Sequence, residues 1–419
     1  MRRRAGLAAA LAACVLVRPA AAREVWTAGE SSLRLTTAVE GMGVAAAAPR
    51  GTGGTGGSAA LGFGRIRLGA SLRTGPAVGW EVAWDNRVAV DAGPSGSPAA
   101  AFALPSGAPA PFRAIRAGGV VARSGRTLDY DEIDRASVSW HASRFEVVAG
   151  RQAVGWGRGQ LFGAVDIFAP FTPLEIDREW RRGVDAVSAD LKVTSRSSVG
   201  IVAAAGRNRD SSAVGGRIRG DLGFADAELV AAKRAEDEMY GWSASAAVGG
   251  PEVHAEAAVF HTPGDLPVRG VDGRSDWIPK AVVGASNNFA LGSGLLASVE
   301  YHWSGFGAAR PSELAALEDL PAFTRRLQRG DTQIAGRQAA AVTARYTFGV
   351  AWSAGLQVLG SLIDSSAVGA ATVTWDLSDR VTATVAGYLS TGAGVSGDGP
   401  RSQFGGVPPS ILLQVRFYD

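Results

Sequence analysis

The chain has 419 residues, a formal charge of +3, a single cysteine and a mean hydropathy of +0.08. Arg2, Arg3, Arg4 and Arg18 supply more than the whole of that charge, so the basic pI of 9.2 is no argument for nucleic acid, and no concentrated basic stripe follows. Nowhere does the sequence offer the roughly 18 apolar residues of a transmembrane helix, yet its hydropathy is high for a chain with 56 glycines, which points to strands as the membrane-crossing elements.

Residues 1–22 read as a secretory signal peptide: Arg2 to Arg4 form a basic region, Gly6 to Val17 a short apolar core, and Ala20 to Ala22 a small-residue cleavage site. Leu11-Ala12-Ala13-Cys14 resembles a lipoprotein box with Cys14 as the lipidated residue, but the apolar run continues past it through Val17. Cleavage after Ala22 leaves residues 23–419 without cysteine, which excludes disulfides, thiol catalysis and Cys-based zinc sites together.

From there the chain alternates. Leu33, Leu35, Thr37 and Val39 interleave with Arg34, Thr36, Ala38 and Glu40, then a Gly-rich loop leads to a return strand over 60–72. Val78, Trp80, Val82 and Trp84 follow a tight turn at Thr74-Gly75-Pro76. A long loop over 92–131 holds a weak apolar piece at Val120-Val121 before strands at Ala136 to Trp140 and at Phe145 to Ala149. Past a second long loop, Val187 to Val193 alternate, and strands are expected near 199–206, 213–221, 224–233, 240–249, 252–261, 278–289 and 295–304. The loop 305–336 carries a short helix at Ser312 to Glu318 started by Pro311. Strands near 337–348, 353–363, 367–376 and 380–390 precede the last, Ile411 to Asp419. This predicts an all-β transmembrane antiparallel barrel of about 18 strands, within a range of roughly 16–20. Every long connection (45–59, 92–131, 155–182, 262–277, 305–336, 391–408) falls on one side of the count, matching short periplasmic turns and long extracellular loops.

A barrel follows because hydrocarbon demands that every backbone N–H and C=O be paired, which strands achieve only in a closed cylinder. Trp140, Trp303, Trp375, Tyr346, Tyr388 and Phe417 sit near strand ends as candidates for the aromatic belts at headgroup level. A ring of this size leaves an aqueous lumen unless a loop obstructs it. The candidate for that role is 155–182, between Gly150 and Val187. It is rich in Gly, Pro and aromatics, and in it and its flanks Arg151, Arg158, Arg178, Arg181 and Arg182 face Asp166, Glu175, Asp177, Glu179 and Asp185. These ten side chains are the candidate pore and constriction residues, and interleaved charge there would set a transverse field on a permeating solute.

Signal peptide, alternating strands, long outer loops and a terminal aromatic strand resemble the Gram-negative outer-membrane porins. Gly150-Arg151-Gln152 with Trp156-Gly157, then Asp185, resembles the alginate-export and substrate-specific porin group. The resemblance implies passive or facilitated passage of small polar solutes, contact with outer-membrane lipid and lipopolysaccharide, insertion by the barrel-assembly machinery, and homo-oligomers, trimers being familiar among porins. Such machinery reads a terminal strand ending in an aromatic; here Leu413, Val415 and Phe417 alternate but Tyr418-Asp419 follows.

Two other classes compete with a channel. A non-conducting structural or surface-interaction barrel would act through its outer loops. An outer-membrane lipid-acting enzyme has only His141-Ala142-Ser143 in its favour, and the Asn-Gly that follows in that family is replaced by Arg144. Glu252, His254 and Glu256 share one strand face, which reads as hydrated lumen wall rather than a metal site, since no further ligand is evident. Gly155-Trp156-Gly157-Arg158-Gly159 lacks the Lys-Ser/Thr of a phosphate loop. No cofactor, metal or catalytic group is implied.

Overall fold

The computed structural model describes residues 23–51, 58–91, 112–175, 178–262, 277–397 and 399–418. The signal-peptide expectation, with Cys14, and Asp177 of the candidate loop lie outside those residues. In chain order the strands are β1 (Arg23–Ala28), β2 (Ser31–Ala46), β3 (Ala59–Thr74), β4 (Val78–Asp91), β5 (Gly118–Ser124), β6 (Thr127–His141) and β7 (Phe145–Ala153). Next come β8 (Gly183–Lys192), β9 (Ser197–Ala204), β10 (Ala213–Asp221), β11 (Asp226–Arg234), β12 (Asp237–Ala247), β13 (Glu252–His261) and β14 (Trp277–Phe289). The chain finishes with β15 (Leu295–Ser304), β16 (Gln338–Phe348), β17 (Trp352–Ser361), β18 (Ala367–Ser378), β19 (Val381–Thr391), the small hairpin β20 (Val395–Ser396) with β21 (Gly399–Pro400), and β22 (Ser410–Tyr418).

Eighteen of these close an antiparallel barrel, each pairing with its sequence neighbour in the ring, and β22 seals it by pairing with β2 from Ala38↔Tyr418 to Ala46↔Ser410. Closure leaves no bare sheet edge in lipid. The alternation is what makes each strand a wall element. On β11, Leu229 faces outward at 62% exposure, while Glu228, Val230, Ala232 and Arg234 on the other face are buried.

The connections at one rim are all short: 75–77, 142–144, 193–196, 222–225, 248–251, 290–294, 349–351 and 379–380. The other rim carries 47–58, 92–117, 154–182, 262–276, 305–337 and 392–409, as expected, together with the shorter 205–212, 235–236 and 362–366. Two strands escape the sequence pattern. β1 pairs with the lower half of β2 on the edge that β22 covers higher up, so one stave of the wall is built from two segments. β5, formed around Val120-Val121, pairs with the upper half of β6 on the edge that β7 covers lower down.

At the short-turn rim, Tyr346, Phe348, Trp352 and Trp375 form an aromatic ladder, with Trp352 and Trp375 stacked at 5.0 Å, and Trp140 packs on Phe145 at 5.9 Å. Tyr240, Trp277 and Trp303 lie toward the opposite rim. Tyr388 is not part of either belt. Its side chain is buried inside the ring against Met42, Val44, Leu61, Phe63 and Leu412, because its register opposite Ser410 places it on the lumen face.

The helix expected at 312–318 is a single turn at Pro311–Glu313 followed by a helix over Leu314–Glu318. A second helix, Pro321–Arg329, starts on proline and is capped by Gly330 in the left-handed region.

Candidate functional site

Residues 154–182 leave the top of β7 and fold inward. Val154, Trp156, Leu161, Phe162, Ala164, Val165, Ile167 and Phe168 are buried against wall side chains such as Val184, Val202, Val230, Phe260, Ile278, Val282 and Leu359. The lumen face of β8 to β17 carries many small apolar side chains, with His254, Glu256, Lys280, Glu300 and His302 buried among them, and the loop covers it. Trp156 meets Phe168 edge-on at 4.7 Å, and Phe162 stacks on the buried ring of His302 at 4.6 Å.

Backbone polarity is handled in an unusual way along this loop. The amides of Arg158, Gly159 and Ala164 donate to the Glu256 carboxylate of β13. Those of Gln160, Leu161 and Phe162 donate to the Glu300 carboxylate of β15 at 2.5, 2.8 and 3.2 Å. Gly163 donates to the Gln333 side chain at 2.8 Å. Gly157, at φ +92°, turns the chain so that the next two amides reach Glu256, and a Cβ there would press on that carboxylate and on Val165. His254 Nε2 lies 2.8 Å from Glu300 Oε1, the oxygen that also accepts the Gln160 amide. Glu252, His254 and Glu256 share the lumen face by register, Glu252 exposed and the other two buried, and among the described residues no group of three or more ligating side chains could hold a metal ion.

The ten candidate residues fall into separate groups. Arg151 is buried on β7 and pairs with Asp185 of β8 at 2.6 Å, while its other nitrogens donate to the carbonyls of Ile133 and Ile115. The pair pins segment 112–117 to the wall, since Asp185 also accepts the Ile115 amide. Arg181 pairs with buried Asp166 and donates to the Ala169 carbonyl, with Phe171 beneath it at 5.0 Å. Arg178 donates to the carbonyls of Gln160 and Thr172 at 2.6 and 2.9 Å. Glu175 accepts from the Thr172 amide and closes a turn. These four fasten the loop to itself. Glu179 instead reaches the seam strand, accepting from the Tyr418 hydroxyl at 2.9 Å with Arg416 at 3.6 Å.

Arg158 donates to Ser245 at 2.8 Å and lines a cavity of about 960 Å³ below the loop, which it shares with Arg144, Asp190, Lys192, Arg217 and Arg219. Arg182, half-buried, lines a 210 Å³ cavity between this loop and Leu327–Gln333, beside Phe168 and Phe171. Burial pulls the guanidinium pKa of both Arg178 and Arg182 below the ordinary arginine value.

Sequence reasoning passed over the opposite wall. Arg65 and Arg67 of β3, Asp85 and Arg87 of β4, and Glu132, Asp134 and Arg135 of β6 form one charged cluster, joined by Arg113 from segment 112–117. A bulge in the β4–β6 register at Asp134 turns both Asp134 and Arg135 inward. Trp180 lies across the guanidiniums of Arg65 and Arg67 at 4.6 and 5.5 Å, so the loop's last turn spans from β8 to the β3 wall. Charge runs at alternate positions on three neighbouring strands were the available signal. His141, finally, touches Ser139 at 3.1 Å and Glu146 at 3.5 Å rather than Ser143; all three are exposed or nearly so, and the amides of His141 and Ala142 are spent on the carbonyls of Ala77 and Phe145.

With this geometry in hand, solved structures can be compared. No family profile and no curated protein matches the sequence. The chain superposes on Pseudomonas aeruginosa OccK5 (OpdH) with a TM-score of 0.54 at 8% identity, covering 92% of this chain and 97% of the other. Acinetobacter baumannii OccAB4 gives 0.54 at 7% identity over 92% and 98%. Pseudomonas aeruginosa OccK11 (OpdR) gives 0.54 at 10% over 92% and 95%. The fold is that of the outer-membrane porins. Within this barrel the loop 154–182 is fastened to the β8–β17 wall, and the charged cluster of β3, β4 and β6 lies across from it.

Proposed function

We propose that this chain is an outer-membrane channel for passive or facilitated passage of small polar solutes, with loop 155–182 as its constriction. The observation that carries the reading is the way that loop is seated: its amides are bound to the wall and its apolar side is spent, so its remaining charged flank borders the open side of the lumen. Arg65, Arg67, Arg87, Arg113, Arg135 and Arg182 there outweigh Asp85, Glu132 and Asp134, which favours small anionic solutes. Cavities of 960 and 730 Å³ on the short-turn side give a solute room below the narrow point. Outer-membrane lipid, lipopolysaccharide and the barrel-assembly machinery are the partners this reading requires, with self-association into oligomers as its further expectation. No enzymatic role is proposed.

Planar-bilayer recording of the purified protein tests it. Stepwise conductance, with a reversal potential that moves toward cations when Arg158 and Arg182 are both replaced by Gln, supports the reading; a silent bilayer sinks it. A plugged barrel acting through its outer loops is the second reading, favoured by the contacts of Trp180 and Glu179 across the lumen, and silence in that assay is its expected result.

A further inference from the structure

Glu256 and Glu300 each project from a central barrel strand, are 1% exposed, and accept three backbone amides from the inward loop. Apolar contact would be enough to keep a loop on a wall, since Phe162, Val165, Ile167 and Phe168 are already buried there. Burying two carboxylates is costly unless the charge is answered, and here it is answered by the amide dipoles together with His254 on Glu300 and the buried ammonium of Lys280 near Glu256. Such an arrangement defines position in a way that apolar packing does not. Hydrocarbon surfaces slide, whereas three N–H groups converging on one carboxylate fix distance and direction together.

We infer that Glu256 and Glu300 are the positioning residues of the constriction: their carboxylates, rather than the apolar packing, hold residues 158–164 in place and so decide where the Arg158 guanidinium stands. The division of labour is specific. Glu256 Oε1 takes the amides of 158 and 159 and Oε2 takes 164; Glu300 Oε1 takes 160 and Oε2 takes 161 and 162. Glutamine keeps the size but offers one acceptor oxygen and one N–H₂ group, so each substitution orphans a defined subset of amides. This inference rests on the reading of 155–182 as the constriction, and the test separates the two.

The experiment is hydrogen–deuterium exchange, resolved to single amides, on the full chain in detergent micelles, beside bilayer recording of the same preparations. Glu256→Gln should raise exchange by about 30-fold at the amides its one remaining oxygen leaves, either 158 and 159 together or 164, the loss of one or two charge-assisted bonds, and leave 160–162 nearer to wild type. Glu300→Gln should give the complementary pattern, and strand amides such as those of β11 should not change in either variant, which shows that the barrel is folded. Equal exchange in wild type and both variants overturns the inference, and so does a uniform rise across 158–164 in each, because packing would then be what holds the loop. Complementary release with an unchanged current supports the two anchors while removing the loop from the conducting path.

Discussion

Replacing Asp331 with Ala should loosen the loop 305–337 without unfolding the barrel. Asp331 is 2% exposed and lies within salt-bridge distance of Arg234 at 2.7 Å, Arg326 at 3.0 Å and Arg329 at 3.2 Å. Asp237 shares Arg326 and Arg329 at 2.5 and 2.7 Å, so three guanidiniums are answered by two carboxylates. Burial alone would raise the Asp331 carboxyl pKa, but Arg329, Arg234 and Arg326 hold it far below the ordinary range. A depressed folded-state pKa means the contribution is complete above the unfolded value of about 3.9 and is lost only as pH falls toward the folded one, so neutral buffer reports it in full. Truncating one member of such a buried group costs about 3–5 kcal/mol. The lower end applies, because Arg326 keeps Asp237 and Arg329 is partly hydrated. About 3 kcal/mol raises the population of the opened loop by roughly two orders of magnitude. Trypsin digestion of the folded protein in detergent reads that population through cleavage after Arg325, Arg326 and Arg329. Arg310→Ala is the control, since the Arg310–Glu313 pair is exposed and worth at most about 1 kcal/mol. A cleavage rate for the Asp331 variant within about threefold of the control would refute the reasoning, because the network would then contribute no more than a surface pair.

Three further outcomes are expected. Trp180→Ala removes a ring lying on two guanidiniums, worth about 0.5–2 kcal/mol; single-channel current should rise and become noisier, and an unchanged trace would show that the ring does not border the passage. Gly330→Ala places a Cβ at φ +78° against the ring of Pro170, costing at least about 1 kcal/mol, seen as faster cleavage after Arg329. Leu229→Arg puts charge on the lipid face and should destabilise folding into vesicles by about 2–4 kcal/mol, followed by the gel shift between heated and unheated samples, whereas Leu229→Phe should be neutral.

The barrel was legible because lipid outside and water inside impose opposite chemistry on adjacent residues, and that period survives in almost every strand. It fades where the lumen is not wet. On β8 to β17 the inner face carries Ala186, Ala204, Ala213, Ala232, Ala258, Ala339 and Ala341 under the folded loop, so both faces look alike and strand ends blur. β5 looked like a scrap of loop because its Val120 and Val121 are both exposed and do not alternate in burial. The candidate loop could be found from its length and charge, but not the role of each charge. Arg178, Arg181, Asp166 and Glu175 fasten the loop, and their partners are largely carbonyls and amides, which every residue carries. Glu256 and Glu300 were opaque for the same reason: a carboxylate that binds backbone leaves no complementary residue type to look for, and its partners lie 92 to 140 positions away.

The two-piece stave has a bearing on biogenesis. Glu40 and Gln414, bonded across the seam, are 374 positions apart, so the ring cannot seal while the final strand is still missing. Until then the half-made sheet has two raw margins, β2 and β19, and must be shielded from pairing with other chains. Linking 418 to 23 and reopening the polypeptide at the 222–225 turn would move that margin elsewhere, and the rearranged protein should still insert, with its last-closing joint in a new place.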